Sequence, residues 1–182
     1  MFLVLSAIAT WIGKLKKEKM GTYEDARGWK NVLANGLIPV AVSFAYFLNH
    51  SYGALPGSFI AIAYVASVAA IAADKFASEL GVLDGTPTML LTLKKVKKGT
   101  SGGVTAFGLS MSLVAALIIA VSAFYITGSV MTVALVAASG FLGNIVDSIF
   151  GYYEEQGIGN KYTSNFLCSL AGVAACLIVL LY

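Results

Sequence analysis

The chain changes character within one segment, Lys94-Lys95-Val96-Lys97-Lys98-Gly99-Thr100-Ser101-Gly102-Gly103-Val104-Thr105, where four lysines and a glycine-rich turn precede a long apolar run. Residues 102–126 carry no charge, and about 20 helical residues suffice to cross a bilayer core. Glycines let a backbone approach a ligand closely, and the N–H groups of a turn before a helix suit an anion. Thr100 and Ser101 can cap that helix or bind the anion. The segment predicts a phosphate site at a membrane edge, although a plain basic flank with a flexible turn explains the lysines equally well.

The composition indicates an integral membrane protein. Of 182 residues, 58% are hydrophobic and 12% are charged, and the mean hydropathy is +0.83. Soluble domains carry about 25% charged residues. Apolar runs predict an all-α, polytopic transmembrane bundle that forms a single domain over residues 1–182. Five clear spans are expected at residues 32–48, 55–73, 102–126, 130–150 and 162–182, with a shorter one at 2–13. No basic residues precede the first run, so we interpret it as a membrane segment and not as a cleaved signal.

The placement of charge predicts the topology. Every Asp, Glu, Lys and Arg lies in residues 14–30, 74–98 or 147–161, and pairs of spans separate these regions. The intervening loops at residues 49–54 and 127–129 carry no formal charge. All charged regions are therefore expected on one side, and their lysine excess assigns that side to the cytoplasm. A site that uses charge would face the cytoplasm.

Carboxylates at the ends of two spans are the first candidate site residues. Asp74 follows the span at 55–73, Glu79 comes little more than one turn later, and Asp147 lies in the last turns of the span at 130–150. Ionisable groups at membrane depth are costly and usually functional. Mg²⁺ is typically held by one or two carboxylates together with substrate phosphates. The sequence therefore predicts Asp74, Glu79 and Asp147 as catalytic residues beside the glycine-rich turn, with Asp74 and Asp147 as the Mg²⁺ ligands.

Polar residues recur at helical spacing near the same membrane edge. They are Arg27, Asn31 and Asn35 at the first long span, Asn144, Asp147 and Ser148 in the fourth, and Asn165 in the last. For the asparagines, hydrogen bonds between helices and contact with a substrate are both open. The chain has no Walker phosphate loop, no Gly-x-Ser-x-Gly and no His-Glu-x-x-His motif. Basic residues at membrane edges, without a known reader motif, exclude a nucleic-acid partner.

Four segments together resemble a known family. They are Asp25-Ala-Arg-Gly-Trp-Lys-Asn-Val-Leu-Ala-Asn-Gly36, Ala72-Ala-Asp-Lys-Phe-Ala-Ser-Glu-Leu-Gly81, Lys98-Gly-Thr-Ser-Gly-Gly-Val104 and Gly143-Asn-Ile-Val-Asp-Ser-Ile-Phe-Gly151. Their order and spacing are similar to those of the integral-membrane phytyl-phosphate kinases of plant tocopherol synthesis and their archaeal, bacterial and animal relatives. The resemblance places these residues on family motif positions: Asp74, Glu79, Thr100, Ser101, Asp147 and Asn165. The chain departs from the family pattern at Lys75-Phe76 and at Tyr162-Thr-Ser-Asn165.

The resemblance implies an enzyme that phosphorylates a prenyl monophosphate, such as phytyl or geranylgeranyl phosphate, to the diphosphate. CTP or another nucleoside triphosphate would be the donor and Mg²⁺ the cofactor. The lipid phosphate is expected at Arg27, Asn31, Asn35, Asn144, Ser148 and Asn165. The nucleotide is expected at Lys97, Lys98, Gly99, Thr100, Ser101, Gly102 and Gly103. A membrane cytidylyltransferase, a transporter and a scaffold are the alternatives, and a homo-oligomer is left open.

Overall fold

Six α-helices make up most of the described chain. The computed structural model describes residues 2–20, 28–53 and 55–182, without the side chains of residues 15 and 16. The helices are α1 (Phe2–Lys19), α2 (Trp29–Tyr52), α3 (Gly57–Leu80), α4 (Ala106–Thr127), α5 (Val130–Glu154) and α6 (Lys161–Leu181). Helices α2 to α6 are long and apolar enough to cross a membrane, and α1 has a shorter apolar part at Phe2–Lys14. The predicted all-α transmembrane bundle is confirmed.

Helix α3 lies at the centre of the bundle. It contacts each of the other five α-helices, and 72% of its spanning segment is buried, against 17% to 39% for the spanning segments of α2, α4, α5 and α6. Its buried face is built mainly from small residues, including Ala66, Ala69, Ala70 and Ala73. In lipid, helices associate through close packing of small residues because the surrounding acyl chains are as apolar as the side chains. The alanine-rich sequence of α3 therefore suits it to contact several helices at once.

Glycines on α5 and α6 bring both helices onto α3 with only the Ala70 methyl group between them. A Cβ atom at Gly143 would lie 2.6 Å from the Cβ of Ala70 and 2.6 Å from the carbonyl oxygen of Cys168. A Cβ atom at Gly172 would lie 2.9 Å from the same Ala70 Cβ. Gly143 and Ala70 are thus the point where α3, α5 and α6 meet.

The end of the second predicted span was placed too early. We expected it to stop at residue 73, but α3 continues to Leu80, and a short 3₁₀ turn at Gly81–Leu83 follows. The segment from 74 to 80 contains no Gly or Pro, and its Lys75 and Glu79 pair at the i, i+4 spacing of a helix. Both Asp74 and Glu79 consequently lie on the last two turns of α3.

The start of the third predicted span was also wrong, and of the two roles open to Thr100 and Ser101 the structure rules out the helix cap. Helix α4 begins at Ala106, and the hydroxyl of Thr105 caps it by accepting from the N–H of Gly108 at 3.0 Å. The apolar residues before it form a strand, β2 (Gly103–Val104), which pairs antiparallel with β1 (Thr88–Met89). This two-residue ladder folds the long loop back on itself, so the helix cannot start until the chain leaves the strand.

Charged side chains from three segments meet at one end of the bundle. Lys17 near the end of α1 pairs with Glu79 near the end of α3. Ser101, in the loop before α4, bonds to Glu154 and Glu155 at the end of α5. This end is called the polar end below. Its assignment to the cytoplasm stays a prediction from the lysine excess.

The tight packing at Gly143 can be tested with a matched pair of helical glycines. Gly36 on α2 has nothing within 4 Å of an added Cβ atom. Gly143→Ala should destabilise the bundle by about 1–3 kcal/mol because both close neighbours must move. Gly36→Ala should be neutral or stabilising, since alanine favours a helix by about 1 kcal/mol over glycine. Apparent Tm in detergent measures both, and equal Tm values would contradict the three-helix contact.

Candidate functional site

A cavity of about 510 Å³ lies at the polar end of the bundle. Its walls come from the last turns of α3 and α5, the first turns of α4 and α6, and residues 99–103, here called the glycine-rich loop. The structure brings these predicted site residues to its wall: Asp74, Gly99, Thr100, Ser101, Gly102, Gly103, Asn144, Asp147, Ser148 and Asn165. The sequence predictions of a carboxylate pair and of a phosphate loop thus meet in one place.

The two carboxylates are neighbours because of the glycine contact described above. The charged loops place the ends of α3 and α5 on the same side, so the two helices run in the same direction. Asp74 lies four residues, about one turn, beyond Ala70, and Asp147 lies four residues beyond Gly143. The carboxyl of Asp147 faces that of Asp74 and the hydroxyl of Ser164, which lies one turn before Cys168 on α6. Within the described part of the chain, the buried Oδ1 of Asp147 has no hydrogen-bond partner. This buried oxygen is available to a ligand.

The glycine-rich loop is held against the end of α5. The hydroxyl of Ser101 donates to Oε2 of Glu154 at 2.7 Å, and the Ser101 N–H donates to Oε1 of Glu155 at 2.8 Å. Gly102 has φ +73°, and a Cβ atom there would lie 2.5 Å from the carbonyl oxygen of Ser148. Glycine at this position therefore allows both the left-handed turn and the backbone contact. Glu154 and Glu155 were not predicted as site residues, because nothing in the local pattern of a charged loop distinguishes them.

Asparagines from three helices stand at or behind the cavity. Asn144 is 1% exposed, and its Nδ2 has no hydrogen-bond partner among the described residues. Asn165 donates from Nδ2 to Oδ1 of Asn31 at 3.4 Å, and Asn35 donates to the Asn31 carbonyl oxygen at 2.9 Å. Asn31 and Asn35 thus support Asn165 from α2 and do not line the cavity, whereas Asn144 presents an unused donor. Arg27, also predicted here, lies outside the described residues.

The lysines at the cavity are not those of the basic loop. Lys97 and Lys98 do not line it, and Lys98 donates instead to the carbonyl oxygen of Val82 at 2.9 Å. Lys17 and Lys161 line it. The position of Lys17 has no sequence signal, because only the packing of α1 on α3 brings its side chain to the cavity. The position of Lys161 could have been predicted from the sequence, because it lies one turn before Asn165 on the same helix face.

Glu79 lies behind the cavity wall and is bound to two ammonium groups. Its Oε2 is 2.8 Å from Nζ of Lys17, and its Oε1 bonds to Nζ of Lys75. Glu79 is 6% exposed and Lys75 is 4% exposed, so this cluster is almost wholly removed from solvent. Buried charges are tolerated when they are paired in this way. The catalytic role expected for Glu79 stays a prediction, and the contacts describe it as the partner of Lys17.

The donor set fits a Mg²⁺ ion that arrives with phosphate. No group of three or more His, Cys, Asp and Glu side chains suited to a metal occurs among the residues described. Asp74 and Asp147 provide two adjacent carboxylates, and Asp147 has a buried oxygen to which no described residue donates. Mg²⁺ commonly takes one or two carboxylates and completes its octahedral shell with water and phosphate oxygens. The residues present match that requirement.

Fold and cavity define a polytopic helical membrane protein with a polar site at one end of the bundle. The chain belongs to the family described as integral membrane protein DUF92, whose model matches residues 1–178. It is 32% identical to an uncharacterized membrane protein, MJ0933, of Methanocaldococcus jannaschii over 94% of this chain, and 31% identical to Protein PGR of Arabidopsis thaliana over 83%. A membrane protein of Synechocystis, sll0875, is 34% identical over 66%.

The chain spans 70%, 61% and 46% of the lengths of these three relatives, in that order. No solved structure matches the chain. The comparisons therefore establish the family and its membrane character.

The attachment of the glycine-rich loop to α5 can be tested at Gly102. Gly102→Ala should release the loop, because the new methyl group meets the backbone of α5. Gly128→Ala is the control, since Gly128 has φ +67° but nothing within 4 Å of an added Cβ atom. Amide hydrogen exchange of residues 99–103 should accelerate about tenfold or more in the first variant only, as expected when local opening becomes easier by roughly 1.4 kcal/mol. Unchanged exchange in Gly102→Ala would contradict the contact.

Proposed function

We propose that this protein is a kinase that transfers the γ-phosphoryl group of a nucleoside triphosphate to a prenyl monophosphate. One observation carries the proposal: a single cavity at the polar end of a membrane bundle joins two adjacent carboxylates to a glycine-rich loop. The sequence resemblance supplies the substrate class, with phytyl or geranylgeranyl phosphate as examples and CTP as the expected donor. Family membership supports the membrane setting of the reaction.

The position of the cavity suits a lipid phosphate on one side and a soluble nucleotide on the other. The prenyl tail would lie in the apolar layer, and its phosphate would meet Asn144, Ser148 and Asn165 at the cavity wall. Asn31 and Asn35 would support that wall, and Arg27 is proposed as a further phosphate contact. The nucleotide would enter from the aqueous side, proposed to be the cytoplasm, onto the glycine-rich loop. Lys97 is exposed on the approach to this loop, where it can attract the triphosphate.

The reaction needs positioning more than a reactive side chain. An oxygen of the lipid phosphate attacks the γ-phosphorus, the bond from that phosphorus to the β,γ-bridging oxygen breaks, and the nucleoside diphosphate leaves. The attacking phosphate is already ionised, so no strong base is required. Donors of the glycine-rich loop and the Asn144 amide would hold the phosphoryl oxygens. Asp74 and Asp147 would hold Mg²⁺, which when bound neutralises charge on the phosphates.

A product assay tests the proposal directly. Purified protein in detergent would be incubated with Mg²⁺, geranylgeranyl or phytyl monophosphate, and CTP or ATP labelled either at the γ-phosphate or in the nucleoside. Transfer of γ-label into a lipid diphosphate is the expected result, and the two donors can then be ranked. Nucleoside label in the lipid would instead show a cytidylyltransferase. No lipid product with any donor would overturn the enzymatic proposal in favour of a transporter or scaffold.

Asp147→Asn should abolish the activity without unfolding the protein. The substitution preserves shape but removes one of the two carboxylates proposed to hold Mg²⁺, so turnover should fall by about 100-fold or more. Asp84→Asn is the matched control, because Asp84 is exposed and does not line the cavity. Both variants should keep the apparent Tm of the unmodified protein. Normal turnover in Asp147→Asn would remove this residue from the metal site.

A further inference from the structure

We infer that Lys17 of α1 binds a phosphoryl oxygen inside the cavity and that Glu79 positions it. The inference deepens the proposed function, on which it rests only for the expectation that the ligand carries phosphate. No sequence motif marks Lys17, since it is one of several basic residues in the segment after the first apolar run. Its side chain is distinguished instead by the surroundings into which the fold brings it.

Lys17 is the more enclosed of the two cations that line the cavity within the described part of the chain. Its side chain is 17% exposed, whereas Lys161 stands at the exposed rim. Its Nζ lies 2.8 Å from Oε2 of Glu79. An ammonium group has three donors, and the bond to Glu79 uses one. Because the side chain also lines the cavity, the ammonium can donate to a ligand there while it keeps its ion pair.

Two contacts of α1 converge on Glu79 and fix the position of Lys17. Gly13 lies one turn before Lys17, and a Cβ atom at Gly13 would be 2.5 Å from the Glu79 carbonyl oxygen. Helix α1 therefore packs its backbone against Glu79 while Lys17 binds the side chain of the same residue. Lys75 binds the other carboxylate oxygen. A lysine whose rotamer is already restricted loses less entropy when it binds a ligand.

The rest of the cavity calls for a ligand with several oxygen acceptors. Asn144 is 1% exposed and its Nδ2 has no partner among the described residues, although buried donors are almost always satisfied. An oxygen-rich anion can accept from both the Asn144 amide and the Lys17 ammonium, which binds phosphate as a point charge. The carboxylates that also line the cavity favour an anion that arrives with a divalent cation, whereas an apolar ligand would leave the Asn144 donor unsatisfied. Asp74 and Asp147 would then hold the metal that accompanies such an anion.

A purely structural role for Lys17 would be to anchor α1 to α3. The two roles differ in what a small anion does to the amine, and this can be measured in the unmodified protein. Acetylation of lysines by a water-soluble N-hydroxysuccinimide ester would be followed by mass spectrometry, with and without Mg²⁺ and inorganic pyrophosphate. Lys14 is the internal control, because it lies one turn earlier on α1, is exposed, and pairs with Glu18 at 3.6 Å.

Pyrophosphate should slow the acetylation of Lys17 by about threefold or more and leave Lys14 unchanged, since a bound anion covers only the amine that it contacts. Equal rates at Lys17 with and without pyrophosphate would overturn the inference. Protection without a lipid diphosphate product would support the inference and remove only the kinase proposal. Lipid turnover with unprotected Lys17 would overturn the inference and leave the kinase proposal intact.

Variants provide a second measurement. Lys17→Gln should weaken pyrophosphate binding by about tenfold or more in calorimetry with Mg²⁺, as expected for loss of a charged hydrogen bond. Lys14→Gln, on the same helix, should leave the affinity unchanged. Glu79→Gln should weaken pyrophosphate binding and also speed the acetylation of Lys17 in the absence of anion, because it removes the positioning partner. Unchanged affinity in a folded Lys17→Gln protein would overturn the inference.

Discussion

The close contact of Gly143 with the Cβ atom of Ala70 and with the backbone of Cys168 is the constraint on which the rest of this protein depends. A bilayer offers no hydrophobic gain for bringing two helices together, so their association relies on surfaces that fit closely. Glycine on α5 and alanine on α3 let the two helices touch, and α6 joins them through Gly172. One turn further, the same geometry brings Asp74 next to Asp147. A contact in the apolar layer thus determines the spacing of the carboxylates in the polar cavity.

Polar groups at this end of the bundle are stabilised by one another. Isolated charges would be costly so near the apolar layer, and the structure pairs Lys17 and Lys75 with a single carboxylate at Glu79. Asn165, Asn31 and Asn35 form a second chain of hydrogen bonds between α6 and α2. Among the described residues, Asn144 Nδ2, Asp147 Oδ1 and Glu154 Oε1 are buried without a hydrogen-bond partner, and all three residues line the cavity. These groups lie where a ligand could satisfy them.

Hydropathy and charge predicted the helices and the carboxylate pair because both signals are local or periodic. These signals predicted the five spans and the shorter apolar segment. They also predicted that Asp74 and Asp147 lie beside the glycine-rich loop. Lys17 was not, because it reaches the cavity only through the packing of Gly13 on α3. The start of α4 was missed for a related reason. The uncharged residues before Ala106 match a span in composition, but Gly103 and Val104 pair with a strand at least 14 residues earlier in the chain.

The hydrogen bonds from Ser101 to Glu154 and Glu155 would make any anion binding at the glycine-rich loop an exchange reaction. The hydroxyl and the N–H of Ser101 already donate hydrogen bonds to carboxylate oxygens, at 2.7 and 2.8 Å. An anion that takes these donors replaces one negative group with another, and the displaced carboxylates return to water. Selectivity at the loop then depends on how strongly the incoming group accepts hydrogen bonds and on how many oxygens it offers, more than on its charge alone. A polyphosphate surpasses a carboxylate on both counts.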